Sequence, residues 1–279
     1  ASTDTAVGYQ AGYSNTTGTW ITALGYQSLY SATAGPNIGL GYEAAFNTTT
    51  GSNNVAIGPY RALYSNTTGG NNVAIGRDAL NSNTTASNNT AVGYQAGYSN
   101  TTGLYNVALG ANALDASTTA NSNVGVGFNA LGTTTTGAEN IAIGTNAMLA
   151  NTTGASNVGI GTYALNANTT ADNNTAVGYQ AGYSNTTGAN NVALGYSSLN
   201  SNTTASDNIA IGSNALESNT TGFRNTAIGS LAMITNTTGN YNTAIGAGQA
   251  GVVQGALGLN TTGDSNTAIG YTALRGNTT

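Results

Sequence analysis

The sequence predicts an all-β protein, a parallel β-solenoid or β-roll of about sixteen coils with 17 residues each. Three observations lead to this prediction: a glycine recurs at a nearly constant spacing, a short aliphatic segment precedes each copy, and helix-forming residues are scarce. Because the repeat fills the chain without a break in composition, we expect residues 1–279 to form a single repeat array.

The recurring glycine, which we call the ruler glycine, marks one point in every unit. Its steps are 17, 16, 17 and 18 residues, then ten steps of 17 and a last step of 24. The long step contains seven extra residues, which we place in a loop within residues 247–259. We expect the ruler glycine to occupy a backbone position that tolerates no side chain. The ruler glycines are Gly8, Gly25, Gly41, Gly58, Gly76, Gly93, Gly110, Gly127, Gly144, Gly161, Gly178, Gly195, Gly212, Gly229, Gly246 and Gly270.

A strand is predicted just before each ruler glycine, at positions −4 to −1 relative to it. Position −4 is Asn in fourteen of the sixteen units, position −3 is Thr, Val or Ile, position −2 is Ala or Gly, and position −1 is Val, Ile or Leu. Alternate strand residues face opposite sides. Because position −1 is always aliphatic, we expect positions −1 and −3 to form the core with the leucine of a following Ala-Leu pair. We expect the small residues at −2, or the tyrosines after the glycine, to pack against other chains.

The composition argues against catalysis and against several kinds of partner. Charged residues make up 5% of the chain, the net charge is −5, and His, Cys and Lys are absent. Clustered cations for nucleic acid, thiolate or imidazole ligands for zinc, and histidine-based triads are therefore missing. The nine acidic residues occupy differing positions in the unit, and no apolar run approaches the ~20 residues that cross a bilayer. We expect no enzyme, no catalytic, cofactor-binding or metal site, and no membrane insertion.

Most units contain an Asn-Thr-Thr segment, which is an acceptor pattern for N-glycosylation. The segment is equally suited to a solenoid corner, because Asn adopts left-handed turns and Thr hydroxyls bind backbone groups. A row of glycans, on Asn or on Thr, would supply the hydration that the missing charges do not. The candidate N-glycosylation sites are Asn15, Asn47, Asn66, Asn83, Asn100, Asn151, Asn168, Asn185, Asn202, Asn219, Asn236, Asn260 and Asn277.

An aromatic residue often follows the ruler glycine. One interpretation is a stacked ladder of rings that covers the coil or seals a contact between chains. The other interpretation is a stripe of rings that binds sugars. The repeated threonines also suggest an ice-binding surface as an alternative function. The aromatic residues at this position are Tyr9, Tyr26, Tyr42, Tyr94, Phe128, Tyr179, Tyr196 and Tyr271.

The end of the sequence continues into its beginning in register. Joining residue 279 to residue 1 places the next ruler glycine 17 residues after Gly270. This match predicts either a longer polypeptide or copies that stack end to end, since an open solenoid end is a sheet edge.

The sequence Asn-Val-Ala-Ile-Gly at 54–58 and 72–76, and Asn-Ile-Ala-Ile-Gly at 140–144 and 208–212, resembles the head repeats of trimeric autotransporter adhesins. The longer Asn-Thr-Ala-Val-Gly-Tyr-Gln-Ala-Gly segment is similar to repeats of bacteriophage tail fibres. The resemblance implies β-rolls on an extracellular, cell or virion surface that associate with copies of themselves as a filament or trimer. The 17-residue unit is longer than the adhesin coil.

From these features we expect a structural subunit or segment of an extracellular fibre that is glycosylated at its Asn-Thr-Thr corners and assembles end to end, laterally, or both. Its expected partners are copies of itself and cell-surface glycans. The alternatives are a receptor-binding adhesin or phage tail-fibre shaft, with specificity in the 247–259 loop, and an ice-binding protein.

Overall fold

The computed structural model describes residues 3–249, 251 and 253–278. All regular elements of these residues are β-strands. The described residues therefore include no helix that is long and apolar enough to cross a membrane. The chain divides into two compact units, Ala1–Glu139 and Asn140–Thr279. Each unit is a parallel β-solenoid, which confirms the predicted fold class. A single array over residues 1–279 stays a prediction.

Each unit contributes eight short strands, one per coil. The strands of the first unit are β1 (Thr5–Val7), β2 (Ile21–Leu24), β3 (Asn37–Tyr42), β4 (Asn54–Tyr60), β5 (Val73–Ile75), β6 (Thr90–Val92), β7 (Val107–Leu109) and β8 (Val124–Val126). The strands of the second unit are β9 (Ile141–Ile143), β10 (Val158–Ile160), β11 (Thr175–Val177), β12 (Val192–Leu194), β13 (Ile209–Ile211), β14 (Thr226–Ile228), β15 (Thr243–Ile245) and β16 (Thr267–Ile269).

Within each unit, every strand pairs in parallel with the next strand along the chain. In the second unit, for example, Val192, Ala193 and Leu194 lie opposite Ile209, Ala210 and Ile211. The register shifts between β3 and β4, where Tyr42 pairs with Tyr60. This irregularity accounts for the 18-residue step from Gly58 to Gly76, because the bulge absorbs the extra residue and normal pairing continues between β4 and β5.

The assignment of strand faces from the sequence was wrong. In β9 the side chain of Ala142 is fully buried, whereas Ile141 and Ile143 are 37% and 39% exposed. The residues at −2 therefore face the coil interior, and those at −1 and −3 face outward. The interior beside the strand is too narrow for larger groups: a Cβ added at Gly159, another −2 position, would lie 3.1 Å from Cγ of Met148. Packing room, and not hydrophobicity, decides which face turns inward.

The Ala-Leu pair lines the core as predicted. Leu216 and the adjacent Ala215 are both fully buried. The backbone of Leu216 is left-handed, with φ +53°, as are those of Asn214 (φ +55°) and Asp207 (φ +63°) in the same coil. For a leucine this conformation costs about 1–2 kcal/mol relative to the right-handed region. The same three positions are left-handed in other coils. This recurrence indicates that packing and hydrogen bonds between neighbouring coils hold the left-handed conformation.

The ruler glycine occupies the kind of position that its recurrence predicts. Gly195 has φ +135°, a region that side chains rarely allow, and a Cβ built on it would lie 2.6 Å from the carbonyl oxygen of Gly212. Both the local backbone and the contact with the next coil therefore require glycine.

The insertion lies between Gly246 and Ala256, within the range 247–259 given for the seven extra residues. Gln249 and Val253 form an antiparallel bridge, which brings the chain back toward the coil. Ala256 and Leu257 are fully buried and take the place of the normal Ala-Leu pair, so the coil has resumed there. The predicted loop also included residues 250 and 252, which lie outside the described residues.

Candidate functional surfaces

In most Asn-Thr-Thr segments the asparagine points into the coil, and these asparagines form a hydrogen-bonded column that we call the corner ladder. The amide nitrogen Nδ2 of Asn202 donates to Oδ1 of Asn185 in the preceding coil at 2.8 Å and to the carbonyl of Ala205 at 2.9 Å. The corner ladder of the second unit comprises Asn151, Asn168, Asn185, Asn202, Asn219, Asn236, Asn260 and Asn277. That of the first unit contains Asn66, Asn83 and Asn100, joined by similar bonds.

The asparagine at position −4 forms a second column, which we call the entry ladder. The backbone N–H of Asn208 donates to Oδ1 of Asn191 at 3.0 Å, and Nδ2 of Asn208 donates to the carbonyl of Gly222 at 3.0 Å. Each buried amide is thereby satisfied at both ends, which burial requires. Sequence reasoning missed this role, although the recurrence of Asn at −4 was the signal for it.

The two ladders meet at shared backbone carbonyls. The carbonyl of Ala205 accepts hydrogen bonds from Nδ2 of Asn191 and from Nδ2 of Asn202, both at 2.9 Å. The interior of the corner is therefore a continuous polar network that joins neighbouring coils.

This geometry bears directly on the candidate glycosylation sites. Ten of the thirteen asparagines are buried in the corner ladder. Their Nδ2 atom, to which an N-glycan would be joined, donates inside the coil, so the arrangement favours the corner interpretation for them. Asn15, Asn47 and Asn277 are half-buried. Glycosylation itself stays a prediction. The ten buried candidates are Asn66, Asn83, Asn100, Asn151, Asn168, Asn185, Asn202, Asn219, Asn236 and Asn260.

The two threonines of the segment play different roles. The hydroxyl of Thr220 donates to the carbonyl of Thr237 in the next coil at 3.0 Å, and this bond recurs along both units. The second threonine, such as Thr221, is exposed, so the corner presents a single column of threonines to solvent. This exposed column in the second unit comprises Thr153, Thr170, Thr187, Thr204, Thr221, Thr238 and Thr262.

The outward residues at positions −3 and −1 form a surface that we call the aliphatic face. Its side chains are half-buried or exposed, and Thr, Val, Ile and Leu are its only residue types. In the second unit the face comprises Ile141, Ile143, Val158, Ile160, Thr175, Val177, Val192, Leu194, Ile209, Ile211, Thr226, Ile228, Thr243, Ile245, Thr267 and Ile269. In the first unit it comprises Thr5, Val7, Thr22, Leu24, Ile38, Leu40, Val55, Ile57, Val73, Ile75, Thr90, Val92, Val107, Leu109, Val124 and Val126.

Aromatic rings form two stacked columns in the first unit. Ring centroids within the columns are 5.0–5.5 Å apart and the rings are nearly parallel. Because the ring faces contact each other, the columns present ring edges to solvent. A sugar stacks on a ring face, so the geometry favours the ladder interpretation here. The columns are Tyr9, Tyr26, Tyr42, Tyr60 and Tyr13, Tyr30, Phe46, Tyr64.

An arginine closes the aromatic columns near the bulge. The guanidinium of Arg61 lies 4.8 Å from the ring centroid of Tyr60 and 4.7 Å from that of Tyr64. Its Nε donates to a carboxylate oxygen of Glu43 at 2.7 Å. This hydrogen bond raises the pKa of Arg61. The cluster is internally paired, which indicates a structural role.

The nine acidic residues are spread along the chain. In the part of the chain that the structure describes, no three of their carboxylates come together as metal ligands would. Burial raises the pKa of Asp115, which follows Leu114 at a position that is Asn in other coils, such as Asn81 and Asn166. The absence of enzymatic activity stays a prediction.

The insertion forms one wall of an open cavity of about 300 Å³. Its lining is uncharged and combines aliphatic side chains with two glutamines. The lining residues are Leu231, Ile234, Thr235, Gln249, Gly251, Val253 and Gln254.

Comparison of the chain with protein-family profiles, with curated protein sequences and with solved structures gave no match.

Proposed function

We propose that this chain is a structural segment of an extracellular fibre in which copies associate laterally through their aliphatic faces. The aliphatic face is the observation that carries the proposal. In β13, Ala210 is fully buried, whereas Ile209 on one side of it is 37% exposed and Ile211 on the other side also faces outward. The largest apolar side chains of the strand therefore lie outside the coil.

Exposure of this kind is costly for an isolated chain. Soluble monomers rarely expose contiguous apolar patches above a few hundred Å², and larger patches mark interaction sites. Each of eight successive strands in a unit contributes one outward Val, Ile or Leu at position −1 and one outward Val, Ile or Thr at position −3, and these residues form one patch. Covering such a patch removes roughly 25 cal/mol of unfavourable free energy per Å².

A second copy of the same chain fits this surface. The face carries no charge, so two copies meet without burying an unpaired ion. Its rows recur at the constant strand spacing of a parallel sheet, so the ridges of one face match the grooves of an identical face. Two sheets pack in this way about 10 Å apart.

The fibre and its extracellular location rest on two further supports. In the second unit the two ladders join each coil to the next without using charge, which suits a long mechanical element. The location rests on the resemblance to adhesin heads and tail fibres. The proposal places no glycan on the ten buried asparagines or on Asn277, whose Nδ2 also donates in the corner ladder, and it leaves Asn15, Asn47 and the exposed threonines as attachment sites.

Sedimentation velocity of a variant with lysines on the face tests the proposal. We expect the wild-type chain to form dimers or larger species at micromolar concentration. In the variant Val192→Lys, Ile209→Lys, Thr226→Lys, three outward side chains of adjacent strands become charged. We expect this variant to be monomeric with an unchanged circular dichroism spectrum, because unpaired charges oppose burial of the face.

The matched control places the same three charges on the exposed threonine column, as Thr204→Lys, Thr221→Lys, Thr238→Lys. We expect this variant to associate like the wild type. A wild-type chain that stays monomeric at about 100 µM, or a control that dissociates as readily as the face variant, would contradict lateral association.

A receptor-binding role for the insertion is the second candidate function, and the cavity beside the loop favours it. Its uncharged lining suits a neutral, polar ligand such as a sugar. Replacing residues 248–254 with a short glycine linker tests this role. Loss of binding to cells or glycan arrays, with association retained, would support it, and unchanged binding would exclude it.

A further inference from the structure

The corner ladder of the first unit loses its asparagine at Ser117. The preceding Asn100 donates normally to Oδ1 of Asn83 at 2.9 Å. Its own Oδ1 is buried without a hydrogen-bond partner, and so is the hydroxyl oxygen of Ser117. The two side chains are only 2% and 1% exposed. An unpaired buried polar atom costs about 1–3 kcal/mol, so two of them in adjacent coils need an explanation.

A small cavity lies at the same place. It offers about 10 Å³ to the centre of a water molecule, and both Asn100 and Ser117 line it. The cavity arises because Gly97 stands where other coils carry the inward leucine, between Leu80 and Leu114 of the neighbouring coils. Serine, which is shorter than asparagine, makes no hydrogen bond to Oδ1 of Asn100.

We propose that one ordered water molecule occupies this cavity and takes the place of the missing amide in the corner ladder. The water donates one hydrogen to Oδ1 of Asn100 and accepts the hydroxyl hydrogen of Ser117. The cavity reaches the lower limits for a buried water, which are a volume of about 10–15 Å³ and two polar partners. The site lies inside the stack of coils, so it does not depend on lateral association.

The second unit contains a natural comparison. The segment from Thr175 to Gly188 repeats the segment from Thr90 to Gly103 residue for residue, so Gly182 corresponds to Gly97. The coil that follows has Asn202 in place of serine, and its Nδ2 donates to Oδ1 of Asn185 at 2.8 Å. Where the asparagine is present, the ladder is closed by protein atoms.

A structure determined at high resolution, together with counting of long-lived waters by oxygen-17 relaxation dispersion, tests the proposal. We expect density within hydrogen-bond distance of Oδ1 of Asn100 and Oγ of Ser117 in the wild type. In Ser117→Asn we expect this density to disappear, the count to fall by about one water and the melting temperature to rise, because a covalently held amide needs no immobilised water.

The reciprocal variant Asn202→Ser is the matched control. It re-creates the serine beside Gly182, and we expect it to gain one buried water and to melt at a lower temperature. A wild-type cavity without density, or a Ser117 hydroxyl bonded directly to Oδ1 of Asn100, would overturn the proposal. So would an unchanged count in both variants.

Discussion

Asparagine holds neighbouring coils together through two kinds of contact that use the same amide group. In the entry ladder Oδ1 accepts a backbone N–H, as Asn191 does from Asn208, whereas in the corner ladder Oδ1 accepts a side-chain N–H, as Asn185 does from Asn202. An amide has both donors and acceptors, so one residue type satisfies itself along a column. No charged side chain can do this, because a column of like charges would repel itself.

The half-buried carboxyl of Asp115 shows the cost of charge in such a coil. Burial raises its pKa above that of the unfolded chain, so the folded state binds more protons and loses stability as the pH rises through the folded pKa. We therefore expect Asp115→Asn to raise the melting temperature at pH 7. At pH 3, where the wild-type carboxyl is largely protonated in both states, we expect little difference.

Thermal unfolding at the two pH values measures this effect. Asp207→Asn is the control, because Asp207 is exposed and lies 3.5 Å from Arg224. The interpretation fails if Asp115→Asn is destabilising at pH 7, or if its gain is equal at both pH values.

At the scale of the strand and its turns, the sequence predicted the period and the parallel register because both follow from the spacing of the ruler glycine. It predicted the wrong strand face because an invariant aliphatic residue such as Ile211 is usually core. The dimension that decides the matter, the width of the coil beside Ala210, is not visible in a hydropathy pattern. The inward direction of the asparagines was hidden for a similar reason, since Asn-Thr-Thr is typical of exposed turns.

The close approach of coils at the strand ends predicts a strong requirement for glycine. We expect Gly195→Ala to lower the free energy of unfolding by about 2 kcal/mol or more, because the new Cβ meets the Gly212 carbonyl and the backbone must leave its φ of +135°. Urea denaturation followed by circular dichroism measures the loss.

Gly276→Ala serves as the control, because a Cβ at Gly276 meets nothing within 4 Å. We expect its effect to stay within about 0.5 kcal/mol. Equal losses for the two substitutions would show that the requirement comes from general glycine content and not from the approach of the coils.

At the scale of the molecule, stability rests on amides and methyl groups and hardly on ions. In each of the ion pairs Arg61–Glu43, Arg77–Asp78 and Arg224–Asp207, at least one partner is well exposed. Exposed pairs contribute about 0–1 kcal/mol, and salt screens them. We therefore expect the free energy of unfolding to change by less than about 1 kcal/mol between low salt and 1 M sodium chloride, as measured by urea denaturation. A loss of several kcal/mol would contradict this expectation.

The corner ladder also has a direction. Each amide turns its nitrogen toward the preceding coil and its oxygen toward the following one, as Asn202 does between Asn185 and Asn219. A coil stacked upside down would set oxygen against oxygen and break the column. Any longer assembly that continues the ladder is therefore polar, with one terminus that offers amide hydrogens and another that offers amide oxygens. Growth from two such chemically different termini would proceed at different rates.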